Sequence, residues 1–163
     1  MHHHGYTWVG EKKAFDDEAL RRPPPPHPPP YAAEEDVPAR RLAARYRAVS
    51  TEFGTTDLPP LQTAHWLMKP SETIKGTWQA PEKAGAWIGR RLAEAAPRFA
   101  TDSDREATRL ASLVKEAAAR LAWGGDVSLG HYLIGTLFHS VALVTCSPNR
   151  SSPELPCPLC HQG

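Results

Sequence analysis

Seven of the eight residues from Pro23 to Pro30, PPPPHPPP, are proline. Proline holds φ near about −65° and has no amide hydrogen to donate, so this run can enter neither a helix interior nor a sheet ladder. It predicts a polyproline II rod, a stiff spacer of about 3.1 Å per residue. Whatever lies before it is held apart from whatever lies after.

Upstream is YTWVGEKKAF, with Tyr6, Trp8 and Phe15 close together. Residues 1–33 read as a disordered arm in which these three aromatics form a short partner-binding motif, because disordered segments are ordinarily poor in them. Met1 is followed by His2, His3 and His4, either a native start or a tag remnant. With a free amine at Met1, the His3 imidazole and two backbone amides would form a square-planar copper or nickel site.

Downstream, the apolar spacing is helical. Asp36 precedes Pro38, and Leu42, Tyr46, Val49 and Phe53 form one stripe that stops at Gly54. A short helix is expected from Asp57 to Met68. A third opens at Pro81 and carries Ala84, Trp87, Ile88, Leu92 and Ala95 before Pro97. Ser103 and Glu106 fit a capping box for a fourth, whose stripe runs from Ala107 to Leu121 before Gly124 and Gly125. From Val127 to Asn149 there is no Asp, Glu, Lys or Arg. The polar groups Ser128, His131, His139, Ser140 and Thr145 make this a poor membrane span, and it reads as a buried central helix. The expected fold is therefore all-α. It is a compact bundle of about five helices over residues 34–146, with a disordered Pro-rich N-terminal arm and a short, flexible Cys-containing tail over 147–163.

Charge narrows the function classes. Lys plus Arg is 19 and Asp plus Glu is 18, and the two signs share the same segments. Only Arg90, Arg91 and Arg98 against Glu94 leave a local surplus, and Arg90 and Arg91 read as a solvated helix face. A phosphate-backbone binder normally shows a clustered basic stripe, so nucleic acid is not an expected partner. The first residues hold no apolar run of signal-peptide length, and the location expected is cytoplasmic. Ala and Arg used heavily point to a GC-rich bacterial source.

Chemistry concentrates in the tail. Cys157, Cys160 and His161 spell C-x-x-C-H, the haem-attachment pattern, but the export that attachment requires has no signal here. Zinc suits thiolate and imidazole better, and the candidate ligands are Cys146, Cys157, Cys160 and His161. Against this, a strong zinc signature has two C-x-x-C knuckles and this chain has one. The same pair serves thiol redox chemistry as a further alternative, and an exposed tail with incidental cysteines, needing no cofactor, is the plainest reading. Elsewhere, His131 and His139 stand eight apart on the expected helix and do not share a face as i, i+4 ligands would. They and His65 read as core histidines. Asp102, Asp104 and Glu106 suit a helix start. No nucleophile elbow, P-loop, dinucleotide fingerprint or H-E-x-x-H is present. The reading favours a small helical regulatory or adaptor protein that binds another protein, more a non-enzyme than an enzyme. The alternative is a zinc-binding or thiol-redox protein using the C-terminal cysteines.

Overall fold

A computed structural model describes residues 1–25, 30 and 33–160. The centre of the proline run, and with it the polyproline rod, lies outside the described residues, as does His161.

The uncharged segment determines the architecture, and it is not a helix. It forms strands β3 (Val127–Tyr132) and β4 (Leu137–Cys146), paired antiparallel from Val127 opposite Leu143 to Tyr132 opposite Phe138. A run that is apolar on all sides fits a doubly covered strand as well as a core helix. Two local facts decide for the strand. Val141, Val144 and Thr145 are β-branched and favour extended backbone. Gly135 takes φ +94°, reversing the chain between the strands where other residues would be strained.

The N-terminal segment is the second correction. His2–Glu11 is strand β1, not a disordered arm. It pairs antiparallel with β4 along its whole length, from His2 opposite Cys146 to Glu11 opposite Leu137. Its other edge takes β2 (Gly76–Trp78). The result is a four-stranded antiparallel sheet of order β2-β1-β4-β3, with the first and last strands at its centre. The chain is a mixed α/β protein, and the all-α bundle is overturned.

The remaining long elements are helices. One turn, α1 (Lys12–Phe15), follows β1. Helix α2 (Val37–Thr55) starts with the Asp36 carboxylate accepting from the Ala39 amide at 3.0 Å. Much of its expected stripe faces outward, with Leu42 57% exposed, and only Phe53 is fully buried. There the buried Lys69 ammonium donates to the Phe53 carbonyl at 2.7 Å. The segment expected as a second helix has only a 3-10 turn, Thr63–Met68. Helix α3 (Pro81–Ala95) forms as its stripe predicts. The Ser103–Glu106 box does not form. Thr101 caps the short α4 (Asp102–Arg105), Glu106 is extended, and α5 (Ala107–Ala122) begins afresh.

The sheet has two differently dressed faces. Residues opposite one another in an antiparallel ladder share a face, and the face alternates along each strand. Gly5, Val127, Val141 and Leu143 turn toward α3 and α5, where Trp87, Ile88, Leu92, Phe99 and Leu121 complete a buried cluster. Gly5 is required there, since a Cβ would stand 2.7 Å from the Trp87 ring. The opposite face carries His2, His4, Tyr6, Ala142, Val144 and Cys146. It is covered by the 3-10 turn and the returning tail, with Tyr6 stacked on Trp66 at 4.6 Å.

Candidate metal centre

Strand periodicity builds half of the site. His2 and His4 are two residues apart on β1, so their imidazoles emerge on the same face. Cys146 is the ladder partner of His2, which places its thiol on that face too. The fourth residue comes from the tail. At the end of β4 the Asp126 carboxylate, just before β3, accepts from the Thr145 amide at 2.9 Å and from the Asn149 side-chain amide at 3.0 Å. The Asn149 side-chain oxygen Oδ1 in turn accepts from the Ser151 and Ser152 backbone amides, both at 2.9 Å. Asn149 is fully buried, so this network pins the turn that sends the tail back across the sheet. Cys157 then lands over His2 and His4.

The donor atoms converge. His2 Nε2 lies 3.0 Å from Cys157 Sγ and 3.1 Å from Cys146 Sγ. His4 Nε2 lies 3.4 Å from Cys157 Sγ and 3.2 Å from Cys146 Sγ. All four atoms fall within 4.8 Å of one another. Ligand atoms around one tetrahedral zinc stand about 3.3 to 3.8 Å apart, given bonds of ~2.3 Å to sulfur and ~2.0 Å to nitrogen. The cluster is therefore the size of a single-ion shell and holds the two nitrogens and two sulfurs that zinc prefers. His4, Cys146 and Cys157 are buried and His2 half-buried.

Second contacts orient the ligands. Thr77 on β2 places its hydroxyl 2.8 Å from His4 Nδ1. In the tautomer where Nδ1–H donates to that oxygen, the Nε2 lone pair points at the sulfurs, as metal-bound histidines require. Burial lowers the His4 pKa, keeping the ring neutral. Burial also pushes the Cys146 thiol up, with the Cys157 sulfur adding to it. Burial alone would raise Cys157 as well, but the His2 and His4 imidazoles beside it bring that thiol well below its usual value. Cys157 is thus the readier thiolate, and a cation entering the site would draw the proton from Cys146 as well.

Of the expected ligands, Cys146 and Cys157 are brought together. Cys160 is exposed at the edge, its Sγ 3.8 Å from His2 Nε2 and 4.0 Å from Ser147 Oγ. His161 lies outside the described residues. The members of the cluster that sequence reasoning missed are His2 and His4. Their signal was the i, i+2 spacing, which becomes a shared face once the segment is a strand. His3, the expected copper or nickel ligand, points to the opposite face, with Nδ1 2.8 Å from Thr145 Oγ1. The three aromatics expected to contact a partner pack against other rings of the fold, Tyr6 buried and Trp8 and Phe15 half-buried. Tyr6 is buried under Trp66, and Phe15 packs 4.3 Å from Phe138 and 6.0 Å from Trp8. His131 and His139 are buried, facing one another across β3 and β4 beside Phe99. Among the described residues no helix is long and apolar enough to cross a membrane. A scan against protein-family models finds no match, and searches of curated proteins and of solved structures find none either.

Proposed function

We propose that this chain is a zinc-binding protein with a structural centre made by His2, His4, Cys146 and Cys157. The observation that carries the reading is the convergence of two Nε2 and two Sγ atoms, from three separate segments, within 4.8 Å of one another. Four protein ligands fill a tetrahedral shell and leave no position for a substrate, which is the arrangement of structural sites and not of catalytic ones. The ion would cross-link the first strand, the end of the last strand and the tail. A sheet face covered by irregular segments gains most from such a link.

Elemental analysis of untagged protein, purified without chelator and with its native first residues, tests this. About one zinc per chain is expected, falling to a small fraction in both His4→Ala and Cys157→Ser. Folded protein that carries no zinc, and takes none up when zinc is supplied, refutes the reading.

A further inference from the structure

Cys160 sits against the proposed centre without belonging to its four-ligand set. Three residues after Cys157, it is held by a turn in which its amide donates to the Cys157 carbonyl at 3.3 Å. Its sulfur lies 3.8 Å from His2 Nε2, which is itself 3.0 Å from the Cys157 sulfur. The two differ sharply in access. Cys157 is buried, whereas Cys160 is exposed. Cys160 also lines a cleft of about 340 Å³, together with His2, Thr77, Trp78, Gln79 and Leu159. That cleft opens the edge of the centre to small solutes.

From this juxtaposition we infer that the zinc centre is redox-gated: a hydroperoxide entering the cleft oxidises Cys160, and Cys160 then closes a disulfide with the ligand Cys157 and ejects the metal. The inference rests on the zinc reading above and adds a regulatory role to it. The chemistry balances in two steps. The Cys160 sulfur attacks the peroxide, the O–O bond breaks, and Cys160 becomes a sulfenic acid while the leaving oxygen departs protonated as water or an alcohol. The Cys157 sulfur leaves the zinc and attacks the sulfenic sulfur. An S–S bond forms, the S–O bond breaks, and hydroxide takes a proton from solvent and leaves as water. The two thiols together lose two electrons, which the peroxide accepts. His2, His4 and Cys146 remain, one ligand short of a closed shell, and zinc dissociates.

The spacing suits the second step. A C-x-x-C pair within one turn closes without moving the sheet, and Cys160 is the sulfur the oxidant meets first. Buried Cys146 and Cys157 lack that access while the ion is bound.

The test uses zinc-loaded full-length protein and hydrogen peroxide. A chromogenic chelator follows zinc release, and peptide mass spectrometry maps the disulfide. Wild type is expected to release one zinc for each two thiols lost, with the bond between Cys157 and Cys160. Cys160→Ser is expected to keep one zinc per chain and release it about tenfold more slowly or less, because only the buried sulfurs remain to be oxidised. Equal release rates for the two proteins overturn the inference, as does a wild-type disulfide through Cys146. A Cys160→Ser protein that purifies without zinc overturns it too, since Cys160 would then be a ligand. If wild type itself binds no zinc, the proposed centre fails and the gate fails with it. If wild type binds zinc and any of the earlier results appears, only the gate is lost.

Discussion

The two faces of the sheet are stabilised by different means. On one, Leu143, Val141 and Val127 meet α3 and α5, and the cover is helical and apolar, with Ile88, Leu92 and Leu121 fully buried. Regular helices satisfy their own backbone groups, so that face needs only shape and hydrophobic burial to hold. The other face is covered by a 3-10 turn and a proline-interrupted tail. The tail presents few apolar side chains, Leu155 and Cys157 among them. Its backbone must also find partners one by one, as the Asp126–Asn149 network shows. A covering of that kind pays for its ordering poorly through burial alone. It is there that the two imidazoles and two thiols gather. Within a single sheet, then, apolar area does on one side what coordination chemistry is proposed to do on the other.

The strongest way to break the comparison is Leu143→Asp. It sets an unpaired carboxylate in the fully buried helical side, at a cost of several kcal/mol, comparable with the ~5–15 kcal/mol that holds a domain together. Loss of the cooperative unfolding transition, followed by circular dichroism, is the expected result. A folded, soluble mutant would mean that this face is not the principal core.

Chelation sharpens the same comparison with a smaller effect. Removing zinc from the proposed centre should lower Tm by about 10 °C, taking ~4 kcal/mol of linkage at a thousandfold excess over Kd and ~2–4 °C per kcal/mol. The loss should also be one-sided. Amide exchange should quicken in residues 2–6 and 153–160 while α3 and α5 keep their protection. Uniform loss across both faces would show that the two coverings are not separable.

Acid acts in the opposite sense, on the helical side. Burial, then the neighbouring His131 and Arg98, hold His139 down to about 4, and burial lowers His3 and His131 as well. An unfolded histidine takes its proton near about 6.5, so the folded state binds fewer protons between the two values. The stabilisation from neutral His139 is complete above the unfolded pKa and is lost as pH falls toward 4, amounting to about 3 kcal/mol at most. In metal-free protein, the urea midpoint should fall between about pH 7 and pH 4.5, and His139→Leu should flatten that slope. A midpoint insensitive to pH in this range would show that His139 is not held neutral.

Helices with capped starts and one-sided stripes were legible without coordinates. Asp36 caps α2, Pro81 opens α3, and the Ala107–Leu121 stripe is α5. The sheet was not legible, and the reason is physical. In β4 both faces are covered, so its side chains show no alternation and its composition serves helix and strand equally. In β1 the alternation is present but carried by His, Gly and Tyr, which hydropathy does not separate. With β1 read as an arm, His2 and His4 had no face, and the two cysteines were left to seek ligands in their own tail. The candidate site was half visible, because cysteines announce themselves by residue type and histidines only by geometry.

The order of the strands bears on how the chain reaches its native state. The two inner strands are residues 2–11 and 137–146, so the central pairing joins segments that leave the ribosome many seconds apart at about 5–20 residues per second. Until β4 emerges β1 has no native neighbour on that edge, and a waiting strand invites pairing with other chains. Contacts of such long sequence separation also make slow folding the expectation. In this topology β1 waits for its central neighbour until β4 has been made.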